Sequence, residues 1–417
     1  MRTNDMFWFY LEPYVYATVK KDKVLLYNTL DHNSIIKEDT LIAKTIRSIL
    51  DLANCGVISI KYNPNHTDSF TLFIQEVRNK FMGDIIPVEM STCKPVQLLP
   101  LVHLKQEVKK KKMTNSNTVQ GIDLLQYLSE ISLNINRTCQ FNCKHCLDYG
   151  KQFNFCSNSA LSDDKNDLTY LERMIDYITR YNYNGRINLF GGDFLWLKQN
   201  VHKVESIISP IKNLCKVYCH QNALDTVLSS GLFEKGQLIL LLDYPLKKNI
   251  YDFIIKENIK EIHAVIQSDS EFIHFESVFE DIQDSLQIKY LPFYNRKNKN
   301  FFKQHIFLGK EDILSGVKNM QYIHRNITLN MFFWGKLQIT SNGDIYSNKN
   351  KKPLGNIQNS DLLDIIYKEL TSEDSSWIQI RNMGKCKKCL FQYLCPPISN
   401  YEYCFNKYNI CNLSDSE

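Results

Sequence analysis

With 417 residues, 44% hydrophobic and 23% charged, and only 15 glycines and 11 prolines, the chain is too long for one small module. It is also too apolar to be disordered, collagenous or a coiled coil. Its formal charge of +5, from 50 basic against 45 acidic residues, is too weak a field over this length to argue for nucleic acid.

No apolar run approaches the roughly 18 residues of a membrane span. The start MRTNDMFWFYLEPYVYATVK lacks the basic-then-apolar order of a secretion signal. The sequence therefore predicts a cytoplasmic protein with no membrane partner. Tyr14 to Val19 and Lys23 to Tyr27 are β-rich runs around a Lys-Lys-Asp turn and predict a hairpin. Ile42, Ile46, Ile49 and Leu50 recur at helical spacing, Val57 to Ile60 reads as extended, and Phe70, Phe73, Ile74, Val77 and Phe81 trace a second helical face. This order predicts a winged-helix-like unit over 1–104. Lys109 to Lys112 and the polar residues after them mark 105–125 as a solvated linker, with contact to RNA or an acidic peptide as the alternative.

From Ile131 the rhythm becomes short apolar runs alternating with helix-length segments, the mark of βα units on a parallel sheet. The runs are Ile131 to Asn136, Arg186 to Phe190, Lys216 to His220, Gln237 to Leu242, Glu261 to Ile266 and Gln287 to Leu291. Leu171 to Tyr181, Val201 to Ile208 and Ser277 to Ser285 are helical candidates between them. Six strands over 126–300 predict an α/β fold with a partial (βα)6 barrel, since an eightfold barrel takes about 250 residues. The rhythm is lost after Pro292, and 301–417 forms a bridging region and a cysteine-rich domain.

Thirteen cysteines in a reducing compartment stay thiols and more often ligate metal than form a disulfide framework. Cys55, Cys93, Cys156, Cys215 and Cys219 are scattered and read as small hydrophobes. Cys139, Cys143 and Cys146 crowd into one loop directly after the first strand of the βα series, where barrel active sites lie. Three soft thiolates suit iron–sulfur or zinc and leave one coordination position open. His145 offers zinc a fourth ligand, but its adjacency to Cys146 strains that geometry. A second group comprises Cys386, Cys389, Cys395, Cys404 and Cys411.

The motif Cys139-x3-Cys143-x2-Cys146 after a first barrel strand resembles the radical S-adenosylmethionine superfamily. Phe190-Gly191-Gly192-Asp193 stands where that family carries a glycine-rich motif for the amino group of the cofactor's methionine. The resemblance implies a [4Fe–4S] cluster on the triad and S-adenosylmethionine on its open iron. It implies cofactor contacts at Gly191, Gly192 and Asp193, at Asn222, Asp243 and Gln267 after the third, fourth and fifth strands, and at His145, where the family often has an aromatic residue near the adenine. Each strand-end polar residue also reads as a cap of the next helix.

Cys386-x2-Cys389-x5-Cys395, with Cys411 beyond, resembles the SPASM auxiliary-cluster domain of peptide maturases in that superfamily. So do the lead-in Gly335 to Asp344 and Leu354-Gly355-Asn356-Ile357. The resemblance implies one auxiliary [4Fe–4S] cluster, with Cys404 as an alternative to Cys411 and a zinc ribbon as the rival reading. Tyr346-Ser347-Asn348 stands where many such domains have a further cysteine.

Leu291 to Asn298, Trp377 to Arg381 and Leu394 to Glu402 are similar to a narrower Bacteroidetes group that acts with double-glycine-leader precursors. Its members are often pseudo-enzymes lacking the triad, whereas this chain keeps it. The resemblance implies modification of a ribosomal precursor peptide through a 5′-deoxyadenosyl radical, with an electron donor and a companion maturase as further partners. The first unit would bind the leader at a sheet edge lined by Phe7-Trp8-Phe9-Tyr10, against ordinary core packing of those rings. A non-catalytic leader-binding scaffold and a zinc-stabilised regulator are the rival functions.

Overall fold

The computed structural model describes residues 6–98, 124–135, 139–141, 143–156 and 168–413. The expected linker at 105–125 lies outside the described residues except for its last two positions.

The first unit contains β1 (Met6–Leu11), β2 (Val15–Lys20), β3 (Lys23–Asn28), β4 (Ser34–Glu38), α1 (Thr40–Leu50), β5 (Val57–Lys61), α2 (Ser69–Asn79) and β6 (Gly83–Pro87). The expected hairpin is β2 and β3, in register from Val15 opposite Asn28 to Lys20 opposite Lys23. Lys21 takes the left-handed backbone (φ +52°) that its tight turn requires. Asp39 caps α1 by accepting the N–H of Leu41 at 2.8 Å and of Ile42 at 3.1 Å. These elements form two three-stranded sheets, in the orders β5-β1-β6 and β2-β3-β4.

The run Phe7 to Tyr10, read either as a leader-binding edge or as core packing, is the middle of the first sheet, paired with β5 on one side and β6 on the other. Phe9 is buried there with Ile42, Ile46, Phe73 and Val77. Strand β3 is covered on both faces: Val24 and Leu26 enter that core. Leu25 and Tyr27 pack on Ile323, Leu390 and Phe391 of the C-terminal region.

The main sheet has nine strands in the order β12-β11-β10-β9-β8-β7-β13-β14-β15. Six run parallel in chain order: β7 (Glu130–Asn134), β8 (Arg186–Phe190), β9 (Cys215–His220), β10 (Leu238–Leu242), β11 (Glu261–Ile266) and β12 (Gln287–Pro292). All six match the sequence expectation to within about two residues. Helices α3 (Cys146–Gln152), α4 (Thr169–Thr179), α5 (Leu195–Ile208), α6 (Leu224–Ser229), α7 (Ile250–Lys256) and α8 (Asp269–Phe279) alternate with them. The helix expected at 277–285 thus ends earlier and starts earlier, at a Ser268 cap whose hydroxyl accepts the Glu271 N–H.

The sheet does not stop at β7. β13 (Lys336–Ile339) adds to it in parallel, and β14 (Asp344–Tyr346) and β15 (Gly355–Asn356) follow antiparallel. The sequence suggested a loss of sheet rhythm after Pro292, but β7 would otherwise carry unpaired backbone groups at its edge, and β13 satisfies them. Ile131, Leu133, Leu189, Val217 and Leu240 face the helices. Phe190, Tyr218, Leu241, Val265 and Leu291 line the opposite, inner face. Helices α9 (Lys299–His305), α10 (Lys310–Ser315), α11 (Met320–Thr328), α12 (Leu362–Thr371) and α13 (Asn400–Cys404) complete the chain. Among the described residues no helix is long and apolar enough to cross a membrane.

Candidate functional site

The first cysteine group lies beyond the C-terminal end of β7, with Cys146 opening α3. The Cys146 N–H reaches the Cys143 carbonyl at 3.3 Å, and the Tyr149 N–H reaches that of His145 at 3.0 Å. Burial pushes the Cys139 thiol up to about 11 and the Cys143 thiol up to about 12. The Cys146 thiol adds to both shifts, which places all three sulfurs within electrostatic reach of one another. Such soft donors on one short loop can hold an iron–sulfur cluster.

Gly191, Gly192 and Asp193 follow β8 at the neighbouring strand end. Gly192 (φ +58°) and Phe194 (φ +53°) are left-handed, and a Cβ on Gly191 would stand 2.2 Å from the Phe194 ring. Only glycine fits there. Asp193 is 3% exposed. One of its carboxylate oxygens, Oδ2, accepts the Gln140 N–H at 2.7 Å, and Oδ1 accepts the Leu195 N–H at 3.2 Å. The two loops singled out in the sequence are therefore tied by a charge-assisted bond.

Asp243, after β10, accepts on Oδ1 from His220 Nε2 at 3.0 Å and from Gln221 Nε2 at 3.0 Å. The Asn222 N–H donates to His220 Nδ1 at 3.3 Å. The bond to Nδ1 makes that nitrogen the acceptor and leaves Nε2 as the donor to the carboxylate. Ligating atoms of Cys143, His220 and Asp243 lie within 4.8 Å of one another. His220 and Gln221 were missed in the sequence; the available signal was a histidine closing an apolar strand. Asn222 offers the network its backbone, while its side chain is exposed.

Gln267 lies farther along the same row of strand ends. Its Oε1 accepts from Asn295 Nδ2 at 2.9 Å and its carbonyl from Asn298 Nδ2 at 2.9 Å, so it fastens β11 to the loop after β12. His145 packs on Phe293, with ring centroids 4.8 Å apart, and burial lowers its imidazole below the usual value. It borders a cavity of about 300 Å³ with Asp148, Gln152, Tyr294, Arg296 and Cys404.

The structure gathers four of the five C-terminal cysteines. Cys386, Cys389, Cys395 and Cys411 surround a cavity of about 270 Å³, whereas Cys404 lines the cavity beside His145. Cys411 is brought in by a bridge to Leu308. Arg381 supports the wall: its Nη2 is 2.5 Å from Oε1 of the fully buried Glu402 and 3.2 Å from the Pro397 carbonyl. Its Nη1 is 3.9 Å from Cys386 Sγ.

In Tyr346-Ser347-Asn348, the stretch where many domains of the resembled type carry a further cysteine, Asn348 is 3% exposed and its Nδ2 has no partner. Lys349 beside it reaches the inner face of the sheet next to Ser132 and Asn134. Burial lowers its ammonium to about 8, against the pull of Cys156 and Cys146. The sequence did not single it out, because its position depends on where β14 docks.

No protein-family model and no curated protein matches the chain. Among solved structures, it is similar to Streptococcus suis SuiB at 12% identity, with 97% of this chain and 100% of that chain covered and a TM-score of 0.39. SuiB bound to S-adenosylmethionine aligns at 11% identity, with 97% and 99% covered and a TM-score of 0.40. Native anSMEcpe with bound AdoMet aligns at 16% identity, with 64% and 88% covered and a TM-score of 0.37. Likeness of that degree assigns neither family nor activity.

Proposed function

We propose that this chain is a radical S-adenosylmethionine enzyme that modifies a ribosomally made precursor peptide. The observation that carries the reading is the 2.7 Å bond from the Gln140 N–H to Asp193, which joins the three-cysteine loop to the Gly-Gly-Asp turn. The donor set fits: Cys139, Cys143 and Cys146 would hold a [4Fe–4S] cluster with one iron open. The backbone at Gly191 and Gly192, with Asp193, would receive the methionine end of S-adenosylmethionine. When bound, the pair supplies a 5′-deoxyadenosyl radical that takes hydrogen from an unactivated carbon.

The chain's own residues do the rest. Gly191 gives the Phe194 ring the room it needs to pack under the turn, and Asp193 orients both loops. His220 and Gln221 hold the Asp243 carboxylate at the site. The rings of Tyr149, Phe155 and Phe293 exclude water from a reactive species. His145 and Gln267 are further cofactor contacts in this reading, and Asn222 contributes through its backbone.

Cys386, Cys389, Cys395 and Cys411 would hold an auxiliary [4Fe–4S] cluster. The outer edges of β5 and β6 suit addition of an extended leader peptide as a further strand. Domains at 1–104, 126–300 and 301–417, a partial barrel in the middle one and a cytoplasmic location belong to the same reading, as do an electron donor and a companion maturase.

Anaerobic reconstitution with iron and sulfide, then reductant and S-adenosylmethionine, tests it. 5′-Deoxyadenosine should form and should vanish in the Cys139→Ala/Cys143→Ala/Cys146→Ala variant. Equal product from that variant refutes the assignment.

A further inference from the structure

We propose that the lysines around the C-terminal cysteine cavity form a docking surface for an acidic one-electron carrier protein. The proposal rests on reading that cavity as an iron–sulfur site. Lys385 and Lys388 line the cavity beside Cys386 and Cys389, and Lys385, Lys387 and Lys388 are all exposed. The four cavity cysteines are only partly buried, so a cluster held there would lie close beneath this surface.

The charge along the segment that carries these lysines is one-sided. Residues 375–401 contain Arg381 and the three lysines and no Asp or Glu. Arg381 is spent internally on Glu402, which leaves the field at the rim to the lysines. Among the described residues Lys387 and Lys388 enter no ion pair. Lys20 of β2 extends the row: its Nζ donates to the Lys387 carbonyl at 3.0 Å and to Gln392 Oε1 at 2.8 Å. Those two bonds fix the lysine-bearing turn to the first unit, so the cations are presented on an anchored segment.

A cation-rich rim over a redox site gives two benefits to a partner of opposite charge: steered encounter and a short path for the electron. The step itself is simple. The carrier's reduced centre loses one electron and the cavity's cluster gains it, with no bond made and no proton moved. The rival explanation is that the lysines merely offset the negative charge of four thiolates. That would act on the cluster's potential, whatever the reductant.

The test uses the full chain with the first triad replaced by alanines, reconstituted so that only the C-terminal site carries iron, with iron and sulfide counted first. Reduced plant-type [2Fe–2S] ferredoxin, an acidic carrier, is mixed with it in stopped flow at low and high salt. The parent should be reduced quickly, with a rate that falls steeply as salt rises. Lys385→Glu/Lys387→Glu/Lys388→Glu should slow this step at least about tenfold and flatten the salt dependence. Its reduction by a neutral small-molecule reductant should slow far less than its reduction by ferredoxin, once the midpoint shift that reversed charges beside a cluster bring is measured and allowed for.

The neutral pair Lys387→Gln/Lys388→Gln should fall between the two and guards against misfolding of the reversed variant. Equal rates with ferredoxin overturn the proposal. So does a slowing of the neutral reductant equal to that of ferredoxin, which assigns the lysines to tuning. Absence of iron at the metal count refutes the cluster reading itself, before any carrier is added.

Discussion

Replacing Asp193 by alanine removes the acceptor that ties the cysteine loop to the end of β8. A hydrogen bond to a buried charged group contributes about 1.5–3 kcal/mol. The short Gln140 bond (2.7 Å) belongs in that range, while the longer one to Leu195 (3.2 Å) serves the first turn of α5 and is left out of the sum. Taking about 2 kcal/mol, and a factor of ten per 1.4 kcal/mol, the population of loops with thiols gathered drops roughly thirtyfold.

A smaller effect opposes this loss, because the Asp193 charge also raises the Cys139 thiol, behind burial; its removal eases thiolate formation. Asp193→Asn shares that relief and keeps a neutral acceptor, so about 1 kcal/mol, or roughly fivefold, is expected. The assay is iron and sulfide bound per chain at limiting iron, measured before S-adenosylmethionine is added. If both variants load as the parent does and only cofactor affinity falls, the Gln140 bond does not gather the thiols, and the reasoning from geometry is refuted.

Arg381→Met leaves Glu402 buried without its cation, and unfolding in urea should show a loss of about 3–5 kcal/mol. Arg381→Met/Glu402→Leu should recover much of it. Gly191→Ala drives a Cβ to 2.2 Å from the Phe194 ring and should cost about 1–3 kcal/mol by overpacking. Adding Phe194→Ala should restore the room, read out as recovered cluster loading. Burial lowers the His263 imidazole below its ordinary value of about 6.5, with Lys289 pushing the same way and Glu261 opposing. The unfolded chain therefore takes the proton first, so this contribution is full above about pH 6.5 and is lost as pH falls through it. The drop in Tm from pH 7.5 to 5.5 should narrow in His263→Gln. Asn400→Ala removes bonds to Gln152 and Asn350 and should speed hydrogen exchange in α3 as well as α13; protection unchanged in α3 would show that the contact does not support it.

The sequence made β7 to β12 legible because strands covered on both faces need unbroken apolar runs, as in Leu238 to Leu242. It made both cysteine groups legible because ligand spacing is local. Pairing across the chain is not local. Nothing in Lys336 to Ile339 says that it will lie along β7, and nothing in Phe7 to Tyr10 says that strands will flank it on both sides. The choice between Cys404 and Cys411 was open for the same reason: Leu308, far away in sequence, pulls Cys411 to the cavity. At the end of β9 the sequence did not show that His220 and Gln221 hold Asp243, because His220 closes the apolar run that defined the strand and was counted with it, while Asn222 stood out as the polar strand end.

The two cysteine sites are mechanically connected, and the connection gives the C-terminal region a role beyond carrying its own thiols. Cys146 opens α3 and Gln152 closes it, roughly 10 Å away at 1.5 Å per residue. There the Gln152 carbonyl accepts from Asn400 Nδ2 at 3.2 Å, and the Lys151 carbonyl accepts from Asn350 Nδ2 at 2.7 Å. Asn400 is the first residue of α13, whose Glu402 grips Arg381 beside Cys386. The Gln152 side chain meanwhile exchanges two bonds with the Tyr294 backbone, at 2.8 and 2.9 Å, and so fixes the same helix to the end of β12. A seven-residue helix is too short to hold its geometry unaided in water. Its position, and with it that of Cys146, is imposed from both sides by elements more than a hundred residues away in the chain. Loss of order around Arg381 should therefore be felt at the first triad, which is why a chain with an intact triad still needs its C-terminal region in place.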